Sequence, residues 1–173
     1  RSVAGDSIAS GTNAGWRNMA APTNVQATDG TSEASVGITW VASAGATGYK
    51  VWRTLGSGVP VLVADTAATS ASDPDVTAGT VCSYQVFAYT AVGSSAGSVA
   101  NTGWRNIPAP TGVAATDGTS AAGVTVSWSA ATGATGYLVF RQAGSAVPTQ
   151  VGQVAAGVLT YADTTAAAGT TYT

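Results

Sequence analysis

The sequence predicts an all-β protein made of two tandem two-sheet sandwiches. Three observations carry the prediction. First, one long block occurs twice: Ala21-Pro22-Thr23, Thr28-Asp29-Gly30-Thr31-Ser32, Trp40 and Gly45-Ala46-Thr47-Gly48-Tyr49 return as Ala109-Pro110-Thr111, Thr116-Asp117-Gly118-Thr119-Ser120, Trp128 and Gly133-Ala134-Thr135-Gly136-Tyr137, each 88 residues later. A fixed period of this length outranks any local motif as a guide to architecture. Second, apolar residues within each copy alternate with small or polar ones, the pattern of a strand with one buried face. Third, the runs are short, separated by Gly, Pro, Asp and Ser turn signals, and no stretch has a useful helical period. About seven short strands per copy with this punctuation describe a two-sheet sandwich.

In chain order, Gly15-Trp16-Arg17-Asn18 matches Gly103-Trp104-Arg105-Asn106, so residues 1–18 read as the last-strand tail of a preceding repeat. Residues 19–106 are a complete domain and residues 107–173 a second domain truncated in its sixth strand. Pro22 and Pro110 follow the Trp-Arg-Asn runs closely. Proline fixes its own φ and biases its predecessor to extended geometry, so the junction is expected to be short and stiff. Val25 and Ala27 form a first strand, and Asp29-Gly30 and Asp117-Gly118 are turns. Val36, Ile38 and Trp40 alternate, as do Val124, Val126 and Trp128. Tyr49, Val51 and Arg53 share one face of the next strand, with Lys50, Trp52 and Thr54 on the other. Pro60 confines Val59–Val63 to an edge. Residues 66–77 are a small, polar loop region around a short strand. Cys82, Tyr84, Val86 and Ala88 alternate with Ser83, Gln85, Phe87 and Tyr89, and Val92–Trp104 closes the unit.

This order of signals resembles the bacterial fibronectin type III domain. The carriers are the Ala-Pro-Thr-x-Val start, the strand ending in Trp40 or Trp128, the Gly-Tyr-x-Val strand at Gly48–Val51 and Gly136–Val139, and the Ala-Gly-Thr corner at Ala78–Thr80 and Ala168–Thr170. The resemblance implies tandem seven-stranded immunoglobulin-like sandwiches, strands A to G in chain order. It also implies a tyrosine two residues after the corner, its hydroxyl bonding back to the backbone. Tyr172 stands there in the second copy, while Cys82 replaces it in the first. Thr173 corresponds to Ser83, and Arg1 to about Tyr89 or Thr90. Two readings account for this. The chain is an excerpt of a longer array, or residues 1–18 of one copy complete the sandwich of another by strand donation. The cost of an unpaired central strand favours the excerpt.

Composition narrows the function. Charged residues are 8% of the chain and the net charge is −2, against roughly 25% charged in an average domain. A nucleic-acid binder needs a basic patch or stripe, so that class is excluded. No run of about 18 apolar residues offers a membrane span. No signal peptide is visible, and a start at Arg1 without Met suits a mature or excised piece. The low charge suits a secreted protein that packs against neighbours. There is no histidine, which removes His-based acid–base and nucleophilic catalysis and the commonest transition-metal ligand. Cys82 is the only cysteine, so neither an internal disulfide nor a structural zinc site is expected. Asp73-Pro74-Asp75 lacks the further oxygen ligands of a calcium loop and is expected to be a solvated turn. No cofactor is expected, and the chain is not expected to be an enzyme.

Two groups of residues remain as candidate sites. Trp16, Arg17, Trp104 and Arg105 lie beside the linkers and are expected to fill an interdomain joint. Trp52, Phe87 and Tyr89, with Leu138 and Phe140 in the second copy, are expected to cluster on the outward face of strands C and F. A contiguous apolar cluster marks a contact surface; lateral packing between copies, a platform for sugar rings, and cover by neighbouring loops all fit it. The resulting expectation is an extracellular or cell-surface structural segment, part of a filament, adhesin shaft or stalk that assembles end to end and side to side. Its partners would be copies of itself or adjacent repeats. The alternative is a spacer or carbohydrate-binding accessory module of a secreted polysaccharide-degrading enzyme.

Overall fold

The computed structural model describes Gly15 and residues 17–173. They form thirteen strands around two hydrophobic cores. In the first unit, β1 (Thr23–Ala27), β2 (Val36–Val41) and β5 (Ser70–Asp73) make one antiparallel sheet in the order β1-β2-β5. The facing sheet has the order β4 (Val61–Thr66), β3 (Gly48–Thr54), β6 (Cys82–Thr90), with β7 (Gly93–Ser94) and β8 (Asn101–Gly103) both paired to the far edge of β6. This is the predicted sandwich. β4 is an edge strand beginning just after Pro60, as expected of a residue without an N–H to donate.

Alternation places the core. Val36, Ile38 and Trp40 on β2 face Tyr49 and Val51 on β3 and Cys82, Tyr84, Val86 and Ala88 on β6, all buried. Trp40 meets Tyr49 edge-on at 5.4 Å between ring centroids, and Trp128 meets Tyr137 at the same distance. The repeated Gly-Ala-Thr-Gly-Tyr run now has a structural cause. The Tyr49 hydroxyl accepts the Ser43 N–H at 3.1 Å, and the Tyr137 hydroxyl accepts the Ala131 N–H at 2.9 Å. Each tyrosine thus buries its ring and ties the turn before it. Asn24, in β1, has a left-handed φ of 50°, and its repeat partner Gly112 has 62°. Both sit where the register with the next strand shifts, at a β-bulge.

The expected closing strand after Val92 is broken in two. Between β7 and β8, the hydroxyls of Ser95 and Ser98 accept the N–H groups of Ala88 and Val86, each at 3.0 Å. Their own N–H groups donate to the carbonyls of the same two residues. Two buried serines therefore satisfy the edge of β6 where a continuous strand would have done so.

Asp73 corrects the sequence reading. It is not in a solvated turn: it ends β5, is 1% exposed, and receives both its oxygens' bonds from Arg53 Nη1 at 2.9 Å. The Tyr84 hydroxyl adds a third bond at 3.1 Å. Arg53 points inward, as its alternation with Tyr49 and Val51 requires, because this carboxylate awaits it across the sandwich. The second unit repeats the pair as Arg141–Asp163 at 2.7 Å.

The second unit comprises β9 (Thr111–Ala115), β10 (Val124–Ser129) and β13 (Thr160–Asp163) in one sheet, and β11 (Gly136–Arg141) with β12 (Thr149–Ala155) facing it. Among the described residues no strand lies along the other edge of β11. Gln142 and Thr173 exchange two backbone bonds, at 2.7 and 2.9 Å, in the register in which Thr54 faces Ser83. The sixth strand therefore starts in the same place in both units. The Tyr172 hydroxyl accepts the Ala167 N–H at 3.1 Å, which is the corner bond implied by the resemblance. Cys82, in the first unit, is buried without one.

Asp163 gives a pH prediction. Burial pushes its carboxyl up, but bonds from the Thr165 hydroxyl and N–H and from Arg141 outweigh burial and leave it below the ordinary carboxylate value. A depressed folded value contributes stability that is present above the unfolded value and lost as pH falls through the folded one. The second unit should therefore weaken below about pH 4. Asp163→Asn should flatten that dependence in an acid titration of unfolding; an unchanged slope would remove Asp163 as its source.

Candidate functional site

Two places in the molecule carry a candidate function: the joint between the units, and the outer face of β3 and β6.

The joint starts from Gly103, whose missing side chain lets β8 lie directly on β1. A Cβ there would stand 2.9 Å from the Thr28 carbonyl and 3.0 Å from Val36 Cγ1. The chain then runs along the first unit. Trp104 N–H donates to the Thr28 carbonyl at 3.1 Å, and Gly30 N–H returns a bond to the Trp104 carbonyl at 2.9 Å. The Trp104 ring covers Gly30, whose φ is 62°. Arg105 Nη1 donates to the carbonyls of Ala34 and Pro74, while its own carbonyl accepts the Gly79 N–H at 2.8 Å. Asn106 N–H donates to the Ser32 carbonyl at 2.8 Å. The structure thus places Trp104 and Arg105 on the first unit rather than between the two. Arg17 is exposed, and Trp16 lies outside the described residues.

The contact between units is made by smaller residues. Ile107 packs against the core of the second unit and also against Gly79 of the first. Gly133, at φ 85°, lies against the Ala78 carbonyl so closely that a Cβ would overlap it. The sequence does not single out Ile107 or Gly133 as residues of the joint. The signal was present: Met19 and Gly45 are their repeat partners, an apolar residue after Asn and a glycine in the turn. What it lacked was any sign that these two meet the Ala78–Gly79 corner.

On the outer face, β3 is central. Trp52 lies between Leu62 of β4 and Gln85 of β6, and Lys50 between Asp65 and Phe87. Tyr89 crosses over Gly48, where no side chain blocks it, and donates to Asp65 Oδ1 at 2.6 Å. Lys50 donates to the other carboxylate oxygen and stands 5.2 Å from the Tyr89 ring centroid. The hydrogen bond to Asp65 raises Lys50, and the same bond lowers Asp65 below its ordinary range. Phe87 rests against Gly97. Trp52, Phe87 and Tyr89 are therefore gathered on one face, but each is half-buried rather than free. A cleft of about 500 Å³ lies among Lys50, Trp52, Pro60, Gln85, Phe87 and Ser94. In the second unit Leu138 and Phe140 are 55% and 54% exposed, and Leu138 and Gln153 stand where Lys50 and Asp65 would be.

Neither place holds a constellation for chemistry. Among the described residues no group of three or more His, Cys, Asp or Glu could hold a metal ion, and no helix is long and apolar enough to cross a membrane. Burial raises the Cys82 thiol, away from thiolate reactivity.

Comparison with known proteins gives the class. No family model and no curated protein matches the sequence. Among solved structures, a two-domain fibronectin type III segment from chicken tenascin is similar, with 18% identity over 87% of this chain and 86% of that one, at a TM-score of 0.71. A fibronectin type III-like protein from Clostridium thermocellum is 27% identical over 51% of this chain and 95% of its own, with a TM-score of 0.47. The tenascin likeness shows the fold: an all-β tandem of fibronectin type III sandwiches.

Proposed function

We propose that the chain is a non-catalytic structural segment of an extracellular bacterial repeat protein, serving in a filament, adhesin shaft or cell-surface stalk. The observation that carries this reading is the joint. Trp104–Asn106 is bonded to the first unit along its whole length and Ile107 is shared with the second, so no slack linker separates the two. Units that contact their chain neighbours directly extend as a quasi-one-dimensional array. The weakly charged surface suits packing against copies of itself or adjacent repeats.

Gly45 and Gly133 supply the test. Their φ values are 83° and 85°, so Gly→Ala strains both turns alike. A Cβ at Gly45 meets nothing within 4 Å, whereas one at Gly133 overlaps Ala78. Gly133→Ala should therefore broaden the interdomain distance distribution in small-angle scattering, while Gly45→Ala costs the same strain and leaves it unchanged. Equal scattering from the two variants would mean that the joint does not set the geometry.

The cleft beside Trp52 and Phe87 supports a second reading, a carbohydrate-binding accessory module. Aromatic faces flanked by an internally neutralised Lys50–Asp65 pair suit an uncharged sugar. On that reading a glycan array gives a signal that Trp52→Ala with Phe87→Ala abolishes. No binding by the parent chain would leave the structural role alone.

A further inference from the structure

The closing segment of the first unit is held to the sandwich without an apolar anchor. β2 buries Val36, Ile38 and Trp40, and β6 buries Cys82, Tyr84, Val86 and Ala88. Among the described residues 91–100, Val92 and Val99 are 68% and 89% exposed, and only Ser95 and Ser98 are buried. Polar bonds alone fasten this stretch to β6. Ser95 N–H donates to the Ala88 carbonyl at 2.8 Å, and Ser98 N–H to the Val86 carbonyl at 3.0 Å. The two serine hydroxyls accept the return bonds from the Ala88 and Val86 N–H groups. Ser95 Oγ donates its own proton to the Ala96 carbonyl at 2.7 Å, which turns its lone pairs toward Ala88. Gln85 Nε2 adds a bond to the Ser98 carbonyl at 3.0 Å.

Both ends of the stretch are fixed. On one side β7 pairs with Tyr89 and Thr90. On the other, Asn101 starts β8 opposite Tyr84, and its side-chain oxygen accepts the Ala27 N–H at 2.7 Å. Opening between these ends breaks bonds that water can replace, so the net loss is small. It takes no apolar side chain out of the core, and segments with few buried apolar contacts lie at the low end of local stability. The outer face is tied to the same stretch. Gly97 lies against the Phe87 ring, where a Cβ would stand 2.8 Å from Cζ, and Gln85, Phe87 and Ser94 line the cleft beside Trp52.

We propose that residues 95–100 form a strap that opens while the rest of the first unit stays folded, uncovering the edge of β6 and one wall of the cleft beside Trp52. With the strap closed, Phe87 rests on Gly97 and Gln85 is bonded to Ser98, so the cleft and the strand edge are separate. With it open, both side chains lose those supports. The cleft then runs into a strand edge whose N–H and C=O groups at Val86 and Ala88 are unpaired, the kind of edge that templates a further strand. The joint is untouched, because Trp104–Asn106 is bonded to the first unit beyond the strap. The opening depends on neither functional reading of the chain.

The test is residue-resolved hydrogen exchange of the full chain in the native state, repeated across a denaturant series. The amides of Val86 and Ala88 face the strap. Those of Gln85 and Phe87, on the same strand, alternate to the β3 side. Val86 and Ala88 should be protected roughly a hundredfold less than Gln85 and Phe87. Their exchange should also hardly steepen with denaturant, since the opening uncovers little surface. Ser98→Ala removes the acceptor of the Val86 N–H and should lower protection at Val86 and Ala88 by a further factor of roughly ten, with Gln85 and Phe87 unchanged. Gly97→Ala removes no hydrogen bond but pushes the strap off the Phe87 ring, and should shift the same two amides in the same direction. Equal protection and equal denaturant slopes at all of these amides would overturn the proposal, because the strap would then leave only with the whole unit. So would variants that weaken all of these amides alike, or that leave Val86 and Ala88 unchanged.

Discussion

Arg53→Met is expected to remove about 3–5 kcal/mol from the first unit, the usual cost of stranding one member of a buried ion pair. Whole domains hold only about 5–15 kcal/mol, so the substitution removes a large share. The reason is local. Asp73 is 1% exposed, and without the guanidinium only the Tyr84 hydroxyl and the Asp75 N–H face its carboxylate. Neither brings a positive charge. The pair also spans the sandwich, β3 in one sheet to β5 in the other, so its loss acts on the contact between sheets. Arg141→Met should cost less. Both side chains of that pair are more exposed, 24% and 5% against 18% and 2% for Arg53 and Asp73. Unit-resolved hydrogen exchange separates the two effects. A loss below about 1 kcal/mol in the first unit would put the pair among solvated surface bridges.

Ile38→Ala should cost about 2–5 kcal/mol, the range for truncating a fully buried aliphatic side chain. Ile38 is inaccessible, between Val36 and Trp40 on β2 and opposite β6. Its repeat partner is Val126, which is only half-buried. Val126→Ala should therefore cost clearly less than the chemistry of the two side chains alone would predict. The same contrast runs along the first strand of each unit, where Val25 is 7% exposed and Val113 is 66% exposed. Burial by a facing sheet, and not the alternation itself, sets the size of the loss. Equal costs at Ile38 and Val126, measured by the same exchange experiment, would refute this account.

The fold was legible because its carriers are local. Period-two alternation fixes which side chains face inward, and Gly and Pro mark the turns, so the sheets and most of the core follow from neighbours in sequence. Alternation alone places Arg53 inward. It does not identify the partner, because Asp73 lies 20 residues away beside Pro74, in a stretch whose composition is that of a loop. An isolated charge pattern carries no information about which strand will stand opposite. The outward cluster of Trp52, Phe87 and Tyr89 is likewise accessible from alternation. Its partial cover by Gly97 and by the Asp65 network is not, since these come from the segment between β7 and β8 and from β4.

The joint divides in the same way. The repetition of Gly-Trp-Arg-Asn marked the segment as significant, but the repeat alone could not tell a residue that bridges two units from one that fastens the linker to a single unit. The sequence by itself determined the all-β class, the two-unit period and the inward face of each strand, because these depend on spacing along the chain. Only the tertiary structure decided that Trp104 covers Gly30, that Ile107 and Gly133 meet the Ala78–Gly79 corner, and that Asp73 is buried. Each of these is a contact between groups remote in sequence, and its energy depends on close approach and lost solvent rather than on the identity of either residue.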